Sequence, residues 1–174
     1  MAKNNANSEN ISDYTGIILD TSFLISLRDH RNPFHKESNK YFQYFLDNKI
    51  PCYISVISIG EYLVKGNEDE LPLKDTRIII YDAYHAKIAG SLAAILFSER
   101  IKKQLEVTER IVIPNDVKIF SQAEANKDIS HCIASDTDFK AIYESLKNNK
   151  KIPRLKIIDS SKSFNEEMGF LISA

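Results

Sequence analysis

The chain has no excess of charge of either sign: across 174 residues, 23 Lys and Arg stand against 24 Asp and Glu. No global field draws it to nucleic acid or to a membrane surface, so any nucleic-acid contact must come from a local basic patch. Glycine is scarce, five in all, and neither GxGxxG nor GxxxxGK occurs, which argues against the common nucleotide-binding loops. The only cysteines, Cys52 and Cys132, lie far apart in apolar segments without CxxC spacing. They suggest neither a zinc site nor a disulfide framework and read as small core hydrophobes in a reducing compartment. No repeat, low-complexity block or Pro/Gly-rich linker divides the chain. Residues 1–14 are polar and lack an apolar h-region, so they read as a disordered tail rather than a signal peptide. The longest apolar-rich stretch, Ala86 to Phe97, has the length of a buried helix and falls short of a bilayer span. The expectation is a soluble, cytoplasmic protein with no membrane partner and a single domain over residues 15–174.

What is present alternates. GIILD reads as a short buried strand, and TSFLISLRD and HKESNKYFQYFLDN as helices with apolar residues at helical spacing. PCYISVI reads as a strand on its β-branched residues, followed by a helix over SIGEYLVKG that ends near Gly66. TRIIIYD is a short strand or edge segment. AYHAKIAGSLAAILFSER is a long helix, apolar on more than one face, in which Gly90 allows close approach of a neighbour. A further helix starts near Pro114 to Asp116; DISHCIAS is a strand, DTDFKAIYESLKNN a helix and RLKIID a last strand. Short strands alternating with helices imply an α/β three-layer α/β/α sandwich around a short, mostly parallel sheet.

Ligands bind open parallel sheets outside the carboxyl ends of the strands, and this chain places acids there. Asp20 ends the first strand, Glu61 lies one helical turn beyond the second, and Asp116 opens the helix after RIVIP. Asp136, with Asp138 beside it, follows DISHCIAS. Each acid also has a local reading. Asp20 and Asp136 suit N-caps, Ser58 and Glu61 fit an S-x-x-E capping box, and Asn115 and Asp116 suit a helix start after Pro114. Taken together, four such helix starts bring four carboxylates near a common point. Like charges that close raise one another's pKa and cost stability unless a cation neutralises them. Oxygen ligands without His or Cys favour Mg2+ or Mn2+, and a carboxylate cage that leaves waters on the ion suits phosphoryl chemistry.

Four pieces in this order, LDTSFLI (19–25), SVISIGEYL (55–63), PNDVKIFSQA (114–123) and IASDTDF (133–139), resemble the PIN domains. These are metal-dependent ribonucleases found as VapC-type toxins and in RNA-processing proteins, and the resemblance runs roughly from Gly16 to Asp159. It implies an Mg2+/Mn2+-dependent endoribonuclease hydrolysing RNA phosphodiester bonds, with Asp20, Glu61, Asp116 and Asp136 as the catalytic metal-binding set. Asp138 matches a secondary ligand or helix cap. Thr21 and Ser22 match the hydroxyl position that hydrogen-bonds within the acidic cluster, and Ser135 stands where the family often has Thr. Lys118 and Phe120 depart from the small or aliphatic residues common after the third acid; they are expected to narrow the cleft, with Lys118 in reach of a phosphate. If the role is that of a toxin in a VapBC-type pair, the partners are a homodimer mate, through the apolar helix at Ala83 to Phe97, and an antitoxin whose C-terminal segment blocks the acidic cleft.

An RNA substrate needs positive charge. Besides Lys118, the run KNNKKIPRLK supplies Lys147, Lys150, Lys151 and Arg154, and ERIKK supplies Arg100, Lys102 and Lys103; such runs also serve as solvated helix ends. Neither interleaves the aromatics that stack single-stranded bases. No histidine is placed for acid–base work: His131 reads as a hydrogen-bonded core residue and His85 opens a helix. The competing class is a non-catalytic PIN-like module that binds RNA or protein; the intact acidic quartet argues for the enzyme. A receiver-like domain would need a paired acid cluster near the first strand, which Asp13 and Asp20 do not form.

Overall fold

A computed structural model describes residues 13–101 and 112–169. Five strands form one sheet in the order β3-β2-β1-β4-β5, every adjacent pair parallel. They are β1 (Ile17–Leu19), β2 (Cys52–Ser55), β3 (Arg77–Ile79), β4 (His131–Ala134) and β5 (Lys156–Asp159). The two-residue period of a strand divides the apolar side chains between the faces. Ile17 and Leu19 enter the core beneath α1 (Thr21–Arg28) and α2 (His35–Asp47), with Phe23, Tyr41 and Phe45. Ile18 enters the opposite core with Cys132 and Phe120, beneath α4 (Ala83–Ile101), α5 (Val112–Ala125) and α6 (Thr137–Asn148). The result is a three-layer α/β/α sandwich whose central strands are covered on both faces, which is why they read as unbroken apolar runs. Gly16 enters β1 where a Cβ would collide with the Asp128 carbonyl and the Tyr53 ring.

Several boundaries differ from the sequence reading. Val56 and Ile57, read as strand for their β-branching, open α3 (Val56–Tyr62), and the cap is Ser55, whose Oγ accepts from the Ile57 N–H. The Ser58–Glu61 capping box is therefore replaced: Ser58 lies inside the helix, buried, with its Oγ unpartnered. α5 begins at Val112, so Asp116 sits in its second turn and Pro114 in its first, where a missing N–H costs nothing. A Cβ at Gly90 would meet nothing within 4 Å, so among the described residues no neighbour approaches there. A short helix, α7 (Phe164–Glu167), follows β5. Tyr14, at the end of the expected tail, is buried; it stacks on His131 at 4.4 Å between ring centroids. His131 itself is a core residue, its Nδ1 2.7 Å from Ser130 Oγ. The rest of the expected tail, residues 1–12, and the candidates Lys102 and Lys103 lie outside the described residues. Among the described residues no helix is long and apolar enough to cross a membrane.

Candidate active site

Parallel strands bring all their carboxyl ends to one edge, and the helices that leave this edge carry the acids. Asp20 follows β1 and caps α1: its Oδ2 accepts from the Ser22 N–H at 2.8 Å and from Ser22 Oγ at 2.6 Å. Asp136 follows β4 and caps α6, Oδ2 accepting from the Phe139 N–H at 3.0 Å. Both cap readings therefore hold, and they leave the second oxygen of each carboxylate outside the cap. Ser22 joins the two strand ends, because its Oγ also accepts from the backbone N–H groups of Ser135 and Asp136 at 3.0 and 3.2 Å. Ser135 thus contributes through its main chain.

Glu61 reaches the edge from α3. Thr21 Oγ1 donates to its Oε2 at 2.5 Å and Asn115 Nδ2 donates to its Oε1 at 2.6 Å. Asp116 reaches in from α5, 5% exposed, and its Oδ2 is buried with no hydrogen-bond partner. Burial, then the charges of Asp20, Asp136, Glu61 and Asp138, push the Asp116 carboxyl up to about 9. All four other acids therefore lie within electrostatic reach of it. Burial likewise raises Asp20 to about 6, against the pull of its Ser22 hydrogen bonds and with a smaller push from Glu61. Asp138 stands half-buried in the first turn of α6.

An unpartnered carboxylate oxygen, buried among four other acids, is the donor set a hard divalent cation satisfies. Among the described residues no three His, Cys, Asp or Glu side chains stand close enough, as placed, to enclose an ion. Asp20 and Asp136 each turn one oxygen onto a cap, and each oxygen of Glu61 accepts one hydrogen bond, from Thr21 and from Asn115.

The basic candidates divide. Lys118 is half-buried with its Nζ 3.0 Å from Asn115 Oδ1, beside the acids. Phe120 is fully buried against Phe139, ring centroids 4.4 Å apart, so it fills the core and does not narrow the cleft. The run from Lys147 to Lys156 lies at the opposite edge of the sheet, because the twelve residues of α6 carry the chain about 18 Å away from Asp136. There Lys147 donates to the carbonyls of Pro153 and Leu155 at 2.7 and 2.6 Å. Arg154 binds the carbonyls of Ala123, Glu124, Asn126 and Ile129, closing the end of α5. Lys150 and Lys151 are exposed in the turn between them. Asn115 joins the site through Glu61, although in the sequence it reads only as part of a helix start beside Asp116.

No protein-family model and no curated protein sequence matches the chain. Solved structures do. A chain of FitAcB from Neisseria gonorrhoeae aligns over 83% of this chain and 98% of its own, at 16% identity and TM-score 0.55. VapBC2 from Rickettsia felis, bound to a DNA fragment from their promoter, aligns over 82% and 97%, at 20% identity and TM-score 0.54. VapC20 from Mycobacterium tuberculosis, a toxin cleaving the Sarcin-Ricin loop, aligns over 72% and 94%, at 18% identity and TM-score 0.52.

Proposed function

The chain has the PIN-domain fold of VapC-type proteins, and from that premise we propose that it is an Mg2+- or Mn2+-dependent endoribonuclease. The observation that carries this reading is Asp116: a buried carboxyl with an unpartnered oxygen, its pKa raised first by burial and then by the charges of four neighbouring acids. Asp20, Asp116 and Asp136 would hold the ion, with Glu61 as a further ligand or as the group orienting the attacking water; Asp138 is a secondary ligand. A divalent ion in such a cage lowers the pKa of the attacking water and offsets charge on the scissile phosphate.

The chain's own groups do the rest. Ser22 keeps the ends of β1 and β4 together, so that Asp20 and Asp136 hold a fixed separation. Glu61, held at both oxygens, remains an acceptor able to take a proton from water or hold it in line. Burial of Asp20 and Asp116 lowers the local dielectric and strengthens every charge interaction at the edge. Lys118 is the candidate phosphate contact.

Two partners accompany this reading. One is a second copy, through the outward face of α4, where Tyr84 and Phe97 are 61% and 64% exposed. The other is an antitoxin chain; the matched VapBC structures, which pair VapC with VapB, support that class of partner. The test is cleavage of a mixed RNA pool in Mg2+, Mn2+ and EDTA, with Asp20→Asn alongside. Asn preserves the cap of α1 and removes one charge. Metal-dependent cleavage by the wild type and its loss in the variant are expected. Equal cleavage by both would remove Asp20 from the site, and metal binding without cleavage of any RNA would favour the non-catalytic module.

A further inference from the structure

Beside the acids, two groups that the four-acid pattern does not contain form a hydrogen-bonded chain onto one that it does. Lys118 Nζ donates to Asn115 Oδ1 at 3.0 Å, and Asn115 Nδ2 donates to Glu61 Oε1 at 2.6 Å. Lys118 follows Asn115 by one turn of α5, so the helix itself sets the first contact. The second crosses to α3.

The chemistry of the groups fixes the direction of this chain. An ammonium is a donor only, so it takes the amide through its oxygen; the amide nitrogen, also a donor, is left facing a carboxylate that only accepts. Flipping the amide would set its oxygen against Glu61 and its NH2 against the ammonium. Lys118 therefore selects the one amide orientation in which Asn115 holds Glu61. Thr21 Oγ1 holds the other oxygen, so a long, half-buried side chain with high rotamer freedom is confined before any ligand arrives.

We propose that Asn115 and Lys118 are a positioning pair that presets Glu61 for a divalent cation, with Lys118 acting on Glu61 only through Asn115. The proposal rests on the metal-site reading of the acids. Partners of this kind around metal ligands typically change affinity by roughly ten- to a hundredfold when removed.

Calorimetric titration of Mn2+ into the metal-free full chain, without RNA, tests it on the wild type, Asn115→Ala, Lys118→Met, Lys118→Arg and the Asn115→Ala/Lys118→Met double variant. Melting curves in EDTA verify that each is folded. Asn115→Ala is expected to raise the Kd about tenfold, Lys118→Met to raise it by a smaller factor, and Lys118→Arg, which is still donor-only, to restore it. The double variant should bind no more weakly than Asn115→Ala alone. An unchanged Kd in folded Asn115→Ala overturns the pair. Additive losses in the double variant overturn the route through Asn115 and place Lys118 in direct action on the ion's surroundings. A wild type that binds no Mn2+ removes the metal-site reading itself, an outcome distinct from either failure.

Discussion

Asp116 keeps a carboxyl in the interior at the expense of its charge. Its ordinary value of 3.8 rises to about 9 through burial and the four neighbouring acids. Between these values the folded chain holds a proton that the unfolded chain has released, so stability falls as pH rises through that window. Below pH 4 both states are protonated and the penalty is absent. Asp116→Asn removes the titration while keeping the shape. In EDTA its melting temperature should exceed that of the wild type by an amount that grows from pH 5 to pH 8 and vanishes near pH 4. A difference independent of pH would contradict the burial of this charge. With saturating Mg2+ the wild-type slope should flatten, because a bound cation replaces the proton. Asp20 and Asp136 are legible in the sequence as helix caps, since each stands where a strand run gives way to a helix pattern, whereas Glu61 and Asp116 sit a turn or more inside their helices. Asn115 is not legible: an amide at a helix start has an ordinary capping role, and its partner Glu61 lies 54 residues away. Only the folded chain reveals what it holds.

Among the elements, α3 shows why boundaries resist sequence reading. Ser55 caps it and Ser58 does not, although S-x-x-E pointed to Ser58. Ser55→Ala should cost about 1 kcal/mol. Ser58→Ala should stay within about 0.5 kcal/mol of the wild type, or stabilise slightly, because it removes a buried hydroxyl that has no partner. Urea midpoints at constant slope compare the two, and the reverse order would move the start of α3. Val56 and Ile57 misled because β-branching favours strands without forbidding the first turn of a helix, where backbone continuity from β2 decides. The central strands β1, β2 and β4 follow from their unbroken apolar runs, and α1, α2 and α6 from their apolar period. The stretch from Lys147 to Arg154 exemplifies a wider ambiguity. Basic residues that close carbonyls at element ends look, in sequence, the same as a phosphate-binding run, and here Lys147 and Arg154 belong to the first kind.

At the scale of the whole molecule, α4 is apolar on both sides, and among the described residues only one side is packed. Ala89, Leu92 and Leu96 pack inward, while Tyr84 and Phe97 face out. In light scattering coupled to gel filtration the wild type should run at twice its 19.9 kDa chain mass, and a Tyr84→Ser/Phe97→Ser variant at once that mass. A monomeric wild type would reassign this face to another partner. The sheet order has a different consequence. β1, first of the strands in the chain, is central and needs both β2 and β4 beside it. The Ser22 bridge to Asp136 spans 114 residues of chain. Closing so long a loop comes late in folding, since its entropy must be met before the contact rewards it. The acidic edge, which depends on that closure, is expected to be completed late. A cation held there, as proposed, would act on the finished state and not on the barrier leading to it, so it would prolong the lifetime of the folded molecule without hastening its birth.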